Sequence, residues 1–131
     1  MPFNYVIHKE QRVVVTTGSG RVTFAEIEKR IHEALTDPEF DPSFNEIVDF
    51  RAVTTVEMSG TEVRTVANTK VFSSNSKIAL VVSSPAVFGM GRLFETYSEM
   101  SKVSPQVRIF YDLPSALKWL GLEKSPELIR P

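Results

Sequence analysis

Ser59 is the residue whose type and position point most directly to chemistry, because a hydroxyl at the start of a helix can cap the helix or accept a phosphoryl group. Residues 47–63 are predicted to form a buried strand, a loop and the first turn of a helix, with Ser59 at the join. Glu62 follows at capping-box spacing, and a helix cap is worth about 1 kcal/mol. A phosphoryl group would add roughly −1.5 to −2 charges where the helix dipole favours them. The residues fit both a structural cap and a phosphorylation switch.

A second candidate site is the apolar face of a helix predicted at about residues 85–100. Its methionine and aromatic side chains recur at helical spacing, which most often indicates a face buried in the core. Methionines among aromatic rings also form adaptable surfaces for lipids or partner helices, and Gly89 and Gly91 allow close approach of the backbone. Arg92 could hold a carboxylate or phosphate head group. The candidate ligand-groove residues are Phe88, Met90, Arg92, Phe94 and Tyr97.

Other reactive residue types lack the spacing that catalysis or metal binding needs. His8 and His32 have no companion at a metal-binding spacing, and neither is expected near the carboxyl ends of the predicted strands, where a serine nucleophile could use it. Gly18-Ser19-Gly20 is not continued by the further glycine or lysine of a phosphate loop, so a turn is predicted there. We therefore expect no catalytic residues, no metal, no cofactor and no enzymatic activity.

Composition excludes several classes of partner. The 131 residues are 42% apolar and 24% charged, with a net charge of −1 and no dense block of lysine and arginine, so no nucleic-acid partner is expected. Cysteine is absent, which excludes disulfides and thiolate chemistry and suits a reducing cytoplasm. The first residues lack the apolar stretch of a signal peptide, and the longest apolar runs are too short for a membrane span. The predicted location is the cytoplasm.

The amino-terminal part of the chain is predicted to form a hairpin followed by a helix. Apolar runs over residues 5–8 and 12–17 are separated by a short polar stretch, which favours antiparallel pairing. Thr23 and Glu26 then stand at capping-box spacing and indicate the start of a helix. The apolar stripe of that helix comprises Phe24, Ile27, Ile31, Ala34 and Leu35.

The remainder of the chain alternates strands with helices. Strands are predicted at about 46–50, 77–82 and 107–111, and helices at about 60–71, 85–100 and in a short segment ending KWLGL. Alternation at these lengths predicts parallel pairing through right-handed crossovers. The predicted fold class is α/β, a single domain with a mixed, mostly parallel sheet of about five strands and about four helices. The domain is predicted to cover residues 1–122, and residues 123–131 are predicted to form a carboxyl-terminal tail.

The carboxyl-terminal rim of the predicted sheet is where an open α/β fold binds ligands. This rim would gather Asp49, Arg51, Ser83, Ser84 and Asp112. Ser84 precedes Pro85, which is the pattern of an N-cap followed by proline in the first helical position, and Asp112 is placed to cap the last helix. Capping therefore accounts for Ser84 and Asp112 without a ligand.

The segment VDFRAVTTVEMSG resembles the strand-loop-helix signature of STAS domains, the family of bacterial anti-sigma-factor antagonists such as SpoIIAA. The family pattern runs apolar, Asp, Leu, two residues, Val, Thr, two residues, Asp, Ser, Ser, Gly. In register with it lie Asp49, Val53, Thr54, Glu57, Met58, Ser59 and Gly60. Ser59 falls on the phosphorylatable serine, while Glu57 and Met58 stand where the family has Asp and Ser. Further segments, GRVTFAEIEKRI, KIALVV and DLPSALKWLGL, extend the resemblance to a divergent SpoIIAA-like branch over residues 3–122.

The resemblance implies a domain of SpoIIAA-like fold that acts by binding, without catalysis. In STAS antagonists a partner kinase phosphorylates the serine at the helix start, which stops the domain binding. The divergent branch is linked by fold to the CRAL-TRIO carriers of apolar ligands. By resemblance the partner is a protein, either a kinase or an anti-sigma-like regulator. The candidate partner-binding residues are Asp49, Arg51, Glu57, Met58, Ser59 and Gly60.

The sequence supports two hypotheses of function. The first is a non-enzymatic STAS-like regulatory or protein-interaction domain, monomeric or homodimeric, that is switched by phosphorylation at Ser59. The alternative is a small carrier or sensor that binds an apolar or amphipathic molecule between the sheet and the helix carrying Met90 and Phe94. A closed core beneath Met90 and Phe94 with Ser59 exposed would favour the first hypothesis, whereas a sizeable apolar cavity would favour the second.

Overall fold

A mixed sheet of five strands lies at the centre of the computed structural model, which describes residues 3–129. In chain order the elements are β1 (Phe3–His8), β2 (Val13–Thr23), α1 (Phe24–Thr36), β3 (Asn45–Glu57), α2 (Gly60–Ala67), β4 (Lys77–Val81), α3 (Pro85–Met100), β5 (Gln106–Phe110), α4 (Leu113–Trp119) and a 3-10 helix (Pro126–Ile129). The strands lie in chain order, with β1 antiparallel to β2 and the other pairs parallel. The predicted α/β class, with a mostly parallel mixed sheet, is confirmed.

Different helices cover the two faces of the sheet, because successive side chains of a strand point to opposite faces. Val48 and Leu80 lie beneath the layer formed by α1, α2 and α3. Ile47 and Ala79, which alternate with them, pack against α4 on the other face. β4 contributes to both layers, as its unbroken apolar run predicts for an inner strand.

Three helices begin at the capping residues expected from the sequence. Thr23 and Glu26 form a complete capping box at the start of α1. Ser84 caps α3 immediately before Pro85, and the carboxylate of Asp112 accepts a 2.8 Å hydrogen bond from a backbone amide in the first turn of α4. The predicted roles of these residues as caps are confirmed.

The chain beyond α4 packs against the same face of the sheet as α4 does. Gly121 has a φ of +73°, and the Leu122 amide donates to the carbonyl of Leu117, so α4 ends in a Schellman motif. The 3-10 helix Pro126–Ile129 follows, and Leu128 is only 5% exposed in the apolar cluster beneath α4. Part of the segment predicted as a tail therefore contributes to the core.

β2 and β3 are longer than predicted and pair with each other beyond the end of β4. The turn predicted at Gly18-Ser19-Gly20 is wrong, because these residues continue β2 through register shifts in its ladder with β3. The loop predicted after residue 50 is also mostly strand, since β3 continues to Glu57. Glycine is required at position 18, where a β-carbon would lie 2.7 Å from the Phe50 ring. Glycine is also favoured at position 20, because its φ of +66° lies in the left-handed region that other residues rarely adopt.

α2 is shorter than predicted, because it ends at Ala67 instead of at about residue 71. The Asn68 side chain donates to a carbonyl of the last turn, which is a local hydrogen bond that competes with continued helix. Beyond it the chain turns inward, and Phe72 is buried edge-on against Phe40 with ring centroids 5.1 Å apart. The predicted positions of β4, α3 and β5 are confirmed to within one residue.

Replacing the two glycines of α3 by alanine should separate helix propensity from packing. A β-carbon at Gly89 would meet nothing within 4 Å, whereas one at Gly91 would lie 3.0 Å from Leu80 and 3.2 Å from Ile109. Gly89→Ala should therefore raise the free energy of unfolding by about 0.5–1 kcal/mol, and Gly91→Ala should raise it less or lower it. Urea denaturation measures both, and a larger gain for Gly91→Ala would contradict the close packing of α3 on the sheet.

Candidate functional site

A partly open cavity of about 180 Å³ lies between the sheet and the helices α1, α2 and α3. Its floor is formed by side chains of the strands, and each of the three helices contributes one wall. Apolar cavities of about 150 Å³ are large enough to bind benzene. The residues that line the central part are Thr16, Glu46, Val48, Ile78 and Leu80 from the sheet, Ile27, Arg30, Ile31 and Ala34 from α1, Val63, Val66 and Ala67 from α2, and Val87, Met90, Gly91 and Phe94 from α3.

Small residues account for the space between the helices and the sheet. Ala34 on α1 and Ala67 on α2 are each only 2% exposed and both line the gap. A larger apolar residue at Ala34 or Ala67 would reach further into the same space. Since protein interiors are normally close-packed, an unfilled volume of this size requires an explanation.

One end of the cavity lies near the turn that joins β3 to α2. Phe50, Val56 and Met58 line this end together with Phe3 of the edge strand β1. Ser59 is the next residue after Met58, and it is exposed. Adjacent residues of the turn therefore face the cavity and the protein surface.

A buried polar cluster of Arg30, Glu46 and Thr16 interrupts the apolar lining. Arg30 and Glu46 are each 8% exposed, and Thr16 is 3% exposed. The Nη2 of Arg30 donates to the Thr16 hydroxyl at 2.9 Å and to Glu46 Oε2 at 3.2 Å, while the Thr16 hydroxyl donates to the same carboxylate oxygen at 2.7 Å. Both hydrogen bonds of the guanidinium leave from Nη2. The Nε of Arg30 is buried without a hydrogen-bond acceptor among residues 3–129.

Burial dominates the electrostatics of this cluster. Desolvation raises the pKa of the Glu46 carboxyl group above its ordinary value, although the charge of Arg30 and the hydrogen bond from Thr16 act in the opposite direction. The ring of Tyr5 lies 4.2 Å from the guanidinium carbon of Arg30 and supports it by a cation-π contact. The Tyr5 hydroxyl in turn donates to Asp37 at 2.7 Å, and this hydrogen bond raises the pKa of the Tyr5 phenol.

Sequence reasoning missed this polar cluster. Arg30 lies three residues after Ile27 and four before Ala34, so a charged residue occupies the apolar stripe of α1. A charge in the middle of an apolar helical face is the signal that could have identified Arg30. Glu46 offered no comparable signal, because its burial depends on the neighbours of its strand.

The structure divides the candidate groove residues of α3 into two groups. Met90 and Phe94 line the cavity as expected of groove residues. Phe88 stacks on Tyr111 with ring centroids 5.3 Å apart and is not part of the lining. The other two predicted groove residues are also outside the lining: Arg92 is paired with Glu95 at 2.7 Å, and the Tyr97 hydroxyl lies near Gly60 of α2.

The candidate partner-binding residues also fall into two groups. Arg51 donates to the Asp49 carboxylate through two side-chain nitrogens at 3.0 Å each, and these hydrogen bonds raise the pKa of the Arg51 guanidinium. Asp49 shares a sheet face with Ile47, so this pair lies on the side of α4, away from the cavity. Ser83 donates to the Arg51 carbonyl at 2.7 Å.

The second group lies at the junction of β3 and α2. The Ser59 hydroxyl accepts from the Glu62 amide at 3.1 Å, and the Ser59 amide donates to the Glu62 carboxylate at 2.8 Å. The predicted capping box is confirmed. Glu57 forms an exposed ion pair with Arg21 at 2.6 Å, and pairs of this kind contribute little to stability.

Residues 3–129 contain neither a cluster of metal ligands nor a membrane-spanning helix. No three histidine, aspartate or glutamate side chains of this part of the chain are grouped so that they could hold an ion. No helix within it has the length and apolar character needed to cross a bilayer. The candidate site described here is therefore the apolar cavity and its polar cluster.

The antiparallel edge strand, the parallel strands in chain order and the helices on the two faces define a SpoIIAA-like fold. One similar solved structure is the crystal structure of an uncharacterised protein of the DUF3478 family from Shewanella loihica PV-4, which has a SpoIIAA-like fold. The two chains superimpose with a TM-score of 0.58 at 14% sequence identity, over 90% of this chain and 93% of the other. No family model and no curated protein matches this sequence. The fold implied by the sequence resemblance is confirmed.

The raised pKa of Glu46 should be visible as a pH dependence of stability. A raised folded-state pKa means that the folded protein holds the proton more tightly, so the contribution of Glu46 is fully present below about pH 4.5 and is lost as the pH rises through the folded pKa. Glu46→Gln removes this titration but keeps an acceptor for Arg30 and Thr16. The stability of wild type relative to Glu46→Gln should therefore fall as the pH rises. Urea denaturation at a series of pH values measures this difference, and a constant difference would contradict the prediction.

Proposed function

We propose that this protein binds a small apolar or amphipathic molecule in the cavity beneath α1, α2 and α3, as a carrier or sensor, and acts by binding without catalysis. The observation that carries the proposal is the apolar cavity of about 180 Å³, lined in part by the predicted groove residues Met90 and Phe94. A cavity of this kind is what distinguishes the carrier hypothesis from a plain interaction domain. The location proposed for this activity is the cytoplasm, on the sequence grounds given above.

The apolar lining of the cavity supports a ligand. Burial of an apolar molecule against such a lining is favourable by roughly 25 cal/mol per Å² of apolar surface removed from water. A bound molecule would also stabilise the folded state through binding linkage.

The polar groups of the site are arranged for holding and not for proton transfer. The Glu46 carboxylate accepts from both Arg30 and Thr16 through the same oxygen. No second carboxylate or histidine lies in the lining to complete an acid/base pair. These contacts favour a binding protein over an enzyme.

Filling the cavity from its wall should abolish ligand binding. Ala34→Phe places a ring in the space that a ligand would occupy, so the saturable amide shifts produced by isopropylbenzene in an NMR titration should disappear. Ala67→Phe, on α2, should have the same effect from the opposite wall. Leu35→Phe is the matched control, because Leu35 is the neighbouring residue on α1 and is 53% exposed. Unchanged binding by both cavity-filling variants would contradict the proposed site.

Native mass spectrometry of the protein purified from its own source gives a direct test. A bound molecule should appear as a mass above that of the chain, and it should be lost in Ala34→Phe but retained in Leu35→Phe. The same spectrum shows whether the protein is a monomer or a homodimer. A ligand retained equally by both variants would place its binding site elsewhere.

A second candidate function is regulated protein binding at the β3–α2 junction, with a kinase or an anti-sigma-like regulator as partner. The observation that favours it is that Ser59 is exposed while Met58, its neighbour, lines the cavity. A molecule in the cavity contacts the turn that carries the serine. This arrangement would allow the protein to act as a sensor whose surface depends on its ligand.

Two variants of Ser59 separate the cap from the switch. Ser59→Ala should lower the free energy of unfolding by about 1 kcal/mol because it removes the cap, whereas Ser59→Asp should retain most of it. Mass spectrometry of tryptic peptides from the native source should find phosphate on Ser59 if the switch operates. The control is Ser83→Ala, which removes another exposed serine that does not cap a helix. The switch would be contradicted if no phosphate were found on Ser59 under any growth condition. It would also be contradicted if a captured partner bound wild type and Ser59→Asp with equal affinity.

A further inference from the structure

Arg30 is the side chain with unused hydrogen-bonding capacity in the cavity wall. A guanidinium carries five N–H donors in a planar fork. The hydrogen bonds to Thr16 and Glu46 both come from Nη2, and the buried Nε has no acceptor in the part of the chain that the structure describes. A buried donor without an acceptor loses its hydration and gains nothing in return. The Nη1 of Arg30 takes part in neither of these hydrogen bonds, so its donors are available to an acceptor brought by a ligand in the cavity.

The remaining polar groups of the cluster are already engaged. The Thr16 hydroxyl accepts from Arg30 and donates to Glu46. The Glu46 carboxylate supplies negative charge within 3.2 Å of the guanidinium. While Glu46 is ionised the pair is neutral as a unit, and a second anion placed at Arg30 is then repelled by Glu46 in surroundings that screen charge poorly.

The rest of the lining is almost entirely hydrocarbon. Apart from the Arg30 cluster, the polar side chains among the lining residues are those of Thr69 and Ser104. The helical walls are formed mainly by isoleucine on α1, valine on α2, and valine, methionine and phenylalanine on α3. A ligand that suits this lining has an apolar body and one polar end.

We infer that the ligand is an uncharged molecule with a hydrocarbon body and one hydrogen-bond acceptor oxygen, such as a ketone, ester or alcohol, and that Arg30 donates to this oxygen. The inference rests on the proposed function and specifies the chemistry of its ligand. Arg30 is then the residue that selects the polar end, while Glu46 keeps Arg30 in place and disfavours carboxylates. The volume of about 180 Å³ fits a body somewhat larger than benzene.

Three probes of matched size test the inference on the wild-type protein. Acetophenone carries a ketone, isopropylbenzene has the same number of non-hydrogen atoms but no oxygen, and benzoate has a carboxylate in the same place. Amide NMR titrations give the dissociation constant of each. Acetophenone should bind more tightly than benzoate, and tighter binding of benzoate would overturn the uncharged polar end.

A double variant isolates the contribution of Arg30. Arg30→Met combined with Glu46→Met replaces the ion pair by apolar side chains and avoids leaving Glu46 buried alone, a change that proteins often tolerate. The dissociation constant of acetophenone divided by that of isopropylbenzene should rise about tenfold. This is the effect of losing one charge-assisted hydrogen bond to the ketone. An unchanged ratio would overturn the role of Arg30.

Arg30→Lys provides a second variant that keeps the charge beside Glu46 but lacks the planar fork of guanidinium donors. It should shift the same ratio in the same direction, and an unaltered ratio would count against the guanidinium as the donor. Circular dichroism confirms that each variant is folded before titration.

The cavity itself is tested separately. If no probe binds to wild type, or if Ala34→Phe does not affect binding, the proposed function fails along with the inference. If isopropylbenzene binding is abolished by Ala34→Phe while the ratio is insensitive to Arg30, only the inference fails.

Discussion

The parallel ladder between β2 and β3 determines where the helices above the sheet begin. The two strands pair from Val13 with Asn45 to Thr23 with Glu57, well past the point where β4 ends. α1 starts directly after Thr23, and α2 starts only three residues after Glu57. Both helices therefore leave the sheet at the same level. The space between them, the sheet and α3 is the cavity.

The ion pair of Arg30 and Glu46 joins α1 to the sheet within this apolar layer. A buried ion pair is weak evidence for stability, because the cost of desolvating two charges offsets much of their attraction. Around it, α1 presents the small Ala34 where a larger side chain would fill the gap. The position of α1 is thus specified by a polar contact, while the volume beneath the helix is left available. This combination is expected of a site that must stay open and keep its shape.

Local features of the fold could be predicted from the sequence, and features that depend on distant neighbours could not. Caps such as Thr23 and Ser59 depend on residues three positions away, so their spacing is sufficient to identify them. The length of β3 was missed because Thr54 and Thr55 are exposed and have the composition of a loop, although Thr55 pairs with Arg21 of β2 and Thr54 lies at a register shift in the same ladder. The cavity depends on the separation of three helices. The helix face that carries Met90 and Phe94 fitted a buried core as well as a groove, and neither the volume of the cavity nor the burial of Arg30 follows from any one segment.

The turn at Met58 and Ser59 has a consequence for energetics. Met58 borders the cavity, and the hydroxyl and amide of Ser59 hold the first turn of α2. If a molecule in the cavity changes the affinity of a partner for this turn, thermodynamic linkage requires the partner to change the affinity for that molecule by the same factor. A single peptide bond would then connect the interior of the protein to its surface in both directions.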